Sequence, residues 1–200
     1  VSSRGSKKKL QHMGNVQLQK PVEGGITEVG RFEINLWSLV APELSYQADN
    51  CSFHVISGAP TVYFYQVGPS DEPLNTIALS FTKEAFKNTN KALQGLRTGI
   101  DTSIRTIYSP DSVKPLDLKP GSVRNENFRK FSVQFVRAAC SPDSAYIDFY
   151  NMPPMVKEQG INKRLLESSI QPIIRVYLTP LLFLRLLDII EVKETSDEAK

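Results

Sequence analysis

The chain has 200 residues, 40% of them hydrophobic and 22% charged, with 11 Gly, 13 Pro and 2 Cys. That make-up is close to the average of a globular protein with somewhat more polar loop, and it excludes collagen-like, wholly disordered and disulfide-scaffold chains. The net charge of +3 comes from residues 1–30, where Arg4, Lys7, Lys8, Lys9 and Lys20 face only Glu23 and Glu28; the rest of the chain is balanced.

Residues 1–30 mix Ser, Gly, Lys and Gln without a period and read as a flexible basic arm. They contain no apolar core of a signal peptide and no small-residue cleavage site. A cytoplasmic location is therefore expected, with Cys51 and Cys140 as free thiols.

A first strand-rich unit is expected over 31–97. Phe32, Ile34 and Leu36 alternate with polar residues up to Trp37, as a strand with one buried face would. Residues 51–56, 61–67 and 77–81 continue the strand grammar, with Gly68-Pro-Ser-Asp-Glu-Pro as a loop. Thr82 stands where a helix N-cap belongs, and residues 83–96 follow as a helix with Phe86, Leu93 and Leu96 near one stripe.

Pro110, Pro115 and Pro120 mark residues 98–127 as a linker, with Ile100, Ile104 and Ile107 suggesting a short docked strand inside it. A second unit is expected over 128–191. It has strands at 131–136 and 145–150, a polar loop over 151–169, and a strand at 173–178. Thr179 then caps a helix over 181–191, with Pro180 at the first helical position, where its missing N–H costs nothing. Residues 192–200 read as an acidic tail.

The two strand-cap-helix ends, Ile77-Ala-Leu-Ser-Phe-Thr-Lys and Ile174-Arg-Val-Tyr-Leu-Thr-Pro, have identical spacing. The fold class expected is α+β: two tandem related units of antiparallel strands, each closed by a C-terminal helix.

Within the second unit, Phe135-Val-Arg-Ala-Ala-Cys-Ser-Pro, Ile147-Asp-Phe, Met152-Pro-Pro and Arg175-Val-Tyr-Leu-Thr-Pro together resemble a family of small uncharacterised prokaryotic domains. The resemblance covers residues 131–190 and implies a fold and a prokaryotic or phage-like source, with no catalytic residues to transfer. Ser144 stands where that family has an acidic residue, and Leu181, Leu182, Leu184 and Leu186 replace its polar helix. More loosely, strands closed by one helix and repeated in tandem are similar in layout to the single-strand-binding PUR-repeat and Whirly-type proteins, a likeness of fold that does not itself carry function.

The motifs for chemistry are sparse. Cys51 and His54 have a ligand-like C-x-x-H spacing, but a structural zinc needs four ligands and positions i and i+3 of a strand point to opposite faces, so no metal is expected. The sequence has two histidines, His12 and His54, and no G-x-S-x-G, P-loop or dinucleotide fingerprint. No catalytic residues, cofactor or small-molecule substrate are therefore expected. A Cys140–His54 dyad is the one enzymatic alternative, and it would need Cys140 exposed with a low pKa.

Two binding readings remain. The last helix is apolar nearly all round, with only Arg185 and Asp188 polar over 181–190, and such a helix must be buried on more than one side. Leu181, Leu182, Leu184, Leu186, Ile189 and Ile190 are its candidate interface, which favours a non-catalytic assembly module docking onto a second copy or a protein partner. The alternative is a single-stranded nucleic-acid binder. It would use Lys7, Lys8 and Lys9 of the arm, Arg129, Lys130, Arg137 and Arg175 for phosphates, and Tyr146, Tyr150 and Tyr177, or the run Tyr63-Phe64-Tyr65, for stacking. Strands prefer alternating aromatics for packing alone, so those tyrosines also have a structural reading. Asp148 shares a face with Tyr146 and Tyr150, and a cross-strand pair with Arg175 would hold the register. No membrane partner is expected: the apolar stretch 173–190 contains Arg175, Arg185 and Asp188, each costing about 2.5–3.5 kcal/mol at a bilayer centre.

Overall fold

The computed structural model describes residues 22–24, 26–29, 32–70, 72–104, 128–152 and 163–197; the side chains of 22–32, 98–104, 128 and 192–197 lie outside that description. Three short strands come first, β1 (Val22–Gly24), β2 (Ile26–Val29) and β3 (Phe32–Asn35). Asn35 ends β3 earlier than the alternation suggests. Its side-chain oxygen accepts the Trp37 N–H at 2.9 Å, and the Ser38 hydroxyl donates to its carbonyl at 2.7 Å. An asparagine that satisfies the backbone locally competes with a strand ladder, and a 3-10 turn at Leu36–Ser38 follows.

Next come β4 (Ser45–Gln47), β5 (Asn50–Ile56), β6 (Ala59–Val67), β7 (Pro73–Phe81) and α1 (Lys83–Ile104). The β5–β6 hairpin closes in two residues, Ser57 and Gly58, both with positive φ (50° and 79°), with Ile56 opposite Ala59. Those are the angles that match the twist of the flanking strands. The chain continues through β8 (Phe128–Val133), β9 (Phe135–Cys140), β10 (Ala145–Asn151), α2 (Lys163–Ser169), β11 (Gln171–Leu178) and α3 (Pro180–Asp197).

The two long helices, α1 and α3, start as their caps dictate. The Thr82 hydroxyl accepts the Ala85 N–H at 3.1 Å and the Thr179 hydroxyl accepts that of Leu182 at 3.2 Å.

The mixed α+β architecture holds two larger sheets, ordered β1-β9-β10-β11-β4 and β5-β6-β7-β8, plus the β2-β3 ribbon. In each larger sheet three successive strands pair antiparallel, and a strand from the other half of the chain joins them in parallel. β8 lies beside β7, with Phe81 opposite Val133, and β4 lies beside β11, with Ser45 opposite Arg175. The chain changes sheet abruptly at both exchanges. Ala48 donates its N–H to Tyr177 in one sheet and Asp49 donates to Tyr65 in the other, each at 3.0 Å. At the second exchange Gln134 donates its N–H to the Tyr150 carbonyl while its side chain accepts the Met152 N–H, both at 3.0 Å. The run 131–136, which reads as one strand, is therefore cut at Gln134.

The inner faces of both sheets and the two long helices share one hydrophobic core. Phe149 of β10 meets Phe64 of β6 at 6.1 Å and Phe81 of β7 at 6.5 Å between ring centroids. From α3, Leu182, Phe183, Leu186, Leu187 and Ile190 enter this core, each no more than 2% exposed. A second cluster joins Ile34, Leu36, Tyr150, Met152, Leu166 and Ile170 behind the five-stranded sheet.

Several expected boundaries move. The arm is expected to run to residue 30, but β1 pairs with β9 (Val22 opposite Cys140) and β2 with β3, so ladder bonds begin at Val22. Ile100 and Ile104 belong to α1, because four-residue spacing suits a helix face as well as a docked strand. Residues 105–127 of the expected linker lie outside the described residues. α2 occupies part of the segment read as a polar loop, and α3 runs on into the expected acidic tail, where no Gly or Pro stops it before Asp197.

Candidate functional site

Alternation along β10 sends Ile147 and Phe149 into the core and Tyr146, Asp148 and Tyr150 to the outer face of the five-stranded sheet. The register then decides who meets whom. Asp148 sits opposite Arg137 of β9 and Arg175 of β11, while Tyr146 sits opposite Tyr177, which in turn faces Gln47 of β4.

Asp148 is fully buried and accepts from both arginines: from Arg137 Nε at 2.6 Å, and from Arg175 Nε at 2.6 Å and Nη2 at 2.8 Å. Two guanidiniums share one carboxylate, so the cluster carries a net positive charge. Its two cations differ in setting. Arg137 is 4% exposed, donates from Nη1 to the carbonyls of Leu36 (2.8 Å) and Leu39 (3.2 Å), and lies 5.0 Å from the Trp37 ring centroid. Arg175 keeps 21% of its side chain exposed and lies 4.2 Å from the Tyr146 ring centroid and 5.9 Å from that of Tyr177. The hydrogen bonds to Asp148 hold its guanidinium above the ordinary arginine basicity.

The 3-10 turn and α2 cover one end of this face. The other end is open: Tyr177 is 38% exposed, Tyr146 is half-buried, and their rings meet edge to face at 6.3 Å. Ser45 and Gln47 of β4 lie exposed beside them. The result is an aromatic surface with a cation set into it.

The structure divides the sequence-derived candidates for nucleic-acid contact. It brings Tyr146, Arg175 and Tyr177 together. Arg137 and Tyr150 share their face but are sealed beneath the 3-10 turn and the second cluster, so neither is open to a ligand. Burial, helped by the Asp148 charge, pushes the Tyr150 hydroxyl above the ordinary tyrosine range. Arg129 and Lys130 are exposed on β8, at the edge of the other sheet, away from this face. Phe64 is in the core, and Tyr63 and Tyr65 are buried on the opposite face of the four-stranded sheet, so that run offers no open stack. Lys7, Lys8 and Lys9 lie outside the described residues.

The candidate interface on α3 is also divided. Leu182, Leu186 and Ile190 are consumed by the chain's own core, while Leu181, Leu184 and Ile189 are half-buried. The two polar positions are engaged as well: Arg185 donates to the Asn50 side chain at 3.1 Å, and Asp188 with Glu191 pairs with Arg97 of α1. The second covering layer that an all-round apolar helix requires is supplied by β5 and α1.

Cys51 and Cys140 are free and buried, and burial pushes both thiols from 9.0 to about 12. That is the opposite of an activated nucleophile. Cys51 and Cys140 face the core, whereas His54, one residue past Phe53, faces away from it and packs edge-on against Tyr63 at 5.6 Å. The sheet therefore stands between the two members of the Cys140–His54 dyad. Among the described residues no group of three His, Cys, Asp or Glu side chains is placed to hold a metal ion. No described helix is long and apolar enough to cross a membrane.

Sequence reasoning missed the contributions of Trp37, the Leu36 and Leu39 carbonyls and β4. Asn35 was the available signal for the turn that carries the first three. β4 has no comparable signal, because a three-residue parallel edge strand is defined by its neighbour. No family model matches the chain, and no curated protein or solved structure shows significant similarity to it.

Proposed function

We propose that this protein binds single-stranded nucleic acid across the open end of the five-stranded sheet's outer face. The observation that supports this best is the grouping of Tyr146, Arg175 and Tyr177, a part-exposed aromatic pair with a guanidinium between and beside the rings. Bases of any sequence stack on such rings for about 1–3 kcal/mol each, and a cation in the same surface attracts the strand's phosphates. The basic residues Lys7, Lys8 and Lys9 add charge, a sequence-independent electrostatic contribution.

The reading includes a duplication. Each half of the chain contributes three successive antiparallel strands and a capped helix and lends one strand in parallel to the other half's sheet, which is the exchange expected of two related units that interlock. Their outer faces differ: one is closed over Tyr63 and Tyr65 and the other is open at Tyr177, so one binding face per chain follows.

The test is fluorescence anisotropy with labelled single-stranded oligonucleotides over a salt series, using the full chain, a version starting at Val22 and a Tyr177→Ala variant. Salt-dependent binding that survives removal of the arm and weakens about tenfold in Tyr177→Ala supports the reading. Binding that disappears with the arm and is indifferent to Tyr177 rejects it. Self-assembly through α3 is the second reading, and it now rests on Leu181, Leu184 and Ile189. A monomer in sedimentation at working concentration would remove it.

A further inference from the structure

An acidic residue at the centre of a polyanion-binding face is at first sight unfavourable. Asp148 lies on the same sheet face as Tyr146 and Tyr177, and simple charge counting says that its removal should tighten binding to a negatively charged strand. The geometry argues for the reverse. Asp148 engages Arg175 side-on, through Nε and Nη2. A guanidinium has five N–H donors in a planar fork, so this grip leaves the Nη1 side with donors for another acceptor. The grip also fixes the plane of the fork, which lies against Tyr146 at 4.2 Å and next to the exposed ring of Tyr177.

Asp148 is itself held from the other side. Arg137 donates to its Oδ2, and Arg137 is anchored in turn on two backbone carbonyls. The carboxylate is thus a fixed post, fully buried, whose charge is more than matched by its two partners. From outside, the strand meets Arg175 and a net positive cluster, with Asp148 beneath it.

We propose that Arg175 is the phosphate-contacting residue of this face and that Asp148 is its positioning residue, so that loss of an acidic side chain weakens binding to a nucleic acid. The ligand is a phosphodiester group of a single strand whose neighbouring base lies on Tyr177. Arginine suits this role because its fork meets two phosphate oxygens at once, whereas a lysine offers a point charge on a flexible stem. The inference rests on the single-strand-binding reading above.

The experiment is anisotropy titration of the full chain with a labelled oligo-dT strand and with an abasic sugar-phosphate strand of the same length. The variants are Arg175→Gln, Arg175→Lys, Asp148→Asn and the double variant Asp148→Asn with Arg175→Gln. Arg175→Gln is expected to weaken oligo-dT binding about tenfold, the worth of a charge-assisted hydrogen bond, and to lower the salt slope by about one counterion. Arg175→Lys is expected to recover little of the affinity although it restores the charge. Asp148→Asn is expected to weaken binding in the wild-type background and to have no effect once Arg175 is Gln, a coupling that a general structural role would not produce. The abasic strand should keep the Arg175 dependence and lose the Tyr177 dependence.

Full affinity in Arg175→Lys, or equal or tighter binding by a folded Asp148→Asn, overturns the proposal while leaving the broader reading in place. If Asp148→Asn does not fold, Arg175→Lys and the abasic strand still decide, since a contact to the base alone would make Arg175→Gln silent on the abasic strand. Failure of the wild-type chain to bind either strand overturns the single-strand reading itself.

Discussion

Asp148 and Arg175 face each other across the β10–β11 pair, joined by bonds of 2.6 and 2.8 Å, and the same carboxylate also receives Arg137 from β9. One buried carboxylate thus ties the three central strands of the five-stranded sheet in register. A one-residue slip of β11 would turn Arg175 inward and leave the charge unpaired, which specifies the register more strongly than apolar alternation alone.

Removing that carboxylate is expected to be costly. Asp148→Ala leaves Arg137 buried with an unmatched charge, and breaking a buried pair in this way costs about 3–5 kcal/mol. Urea unfolding should show the midpoint falling accordingly, with Arg175→Ala milder because that side chain reaches solvent. An Asp148→Ala midpoint within error of wild type would mean that the cluster contributes nothing to stability.

Charged substitution on α3 should unfold the chain and should not merely dissociate an oligomer. Leu182 is 2% exposed within a single chain, and Leu182→Asp would bury an unpaired carboxylate. Leu182→Ala is expected to cost about 2–5 kcal/mol through lost transfer energy and the cavity left behind. Circular dichroism and sedimentation together check this: a well-folded Leu182→Asp monomer would contradict the intrachain burial.

The two helix caps offer a matched pair. Thr82→Ala and Thr179→Ala each remove one hydroxyl acceptor from a helix N-terminus and are expected to cost about 1 kcal/mol. Because the two caps share no hydrogen-bond partner, the double variant should be additive, readable from thermal unfolding of the four proteins.

Alkaline pH should destabilise the fold through its thiols. Cys51 and Cys140 have folded pKa values raised from 9.0 to about 12, so the folded state holds protons that the unfolded chain releases. Their contribution is complete below about pH 9 and is lost as pH rises from 9 towards 12. Each thiol steepens the fall by about 1.4 kcal/mol per pH unit across that window. Tyr46 and Tyr150, also raised by burial, add to the loss at the upper end. Denaturant midpoints between pH 8 and 11, compared with Cys51→Ser and Cys140→Ser variants, measure the share of each thiol. Rapid reaction of both thiols in the native protein at neutral pH would contradict their burial.

Arg97 joins α1 to Asp188 and Glu191 of α3. Both carboxylates are 55% exposed, so screening limits the network to at most about 1 kcal/mol. Arg97→Ala should show a small loss of stability that vanishes in molar salt.

Much of the local structure was legible in the sequence because its causes are local. Thr82 and Thr179 announced helix starts through their hydroxyls, and the alternation of Ile147 and Phe149 with Tyr146, Asp148 and Tyr150 sorted β10 into two faces. The same alternation on β11 put Asp148 and Arg175 on matching faces, and the pair forms. What failed has a common cause. The run 131–136 carries an unbroken strand pattern, yet Gln134 divides it between two sheets, since hydrogen-bond partners supplied by Tyr150 and Met152 are invisible to periodicity. β4 escaped notice for the same reason.

Which candidate residues stay at the surface turned on tertiary structure in a similar way. By sequence alone Tyr146, Tyr150, Tyr177, Arg137 and Arg175 are equals, because residue type and face do not report what lies on top. The 3-10 turn after Asn35 and the cluster around Leu166 and Ile170 bury Arg137 and Tyr150 and leave the other three at the surface. Likewise the composition of α3 determined that the helix must be covered on more than one side, since exposed apolar surface is unfavourable in water. Only the packing of β5 and α1 against it decided that the cover is the chain itself. Composition and periodicity fix which groups must leave water and which backbone shapes are cheap, while the choice of partner is a long-range contact that only the folded chain can make.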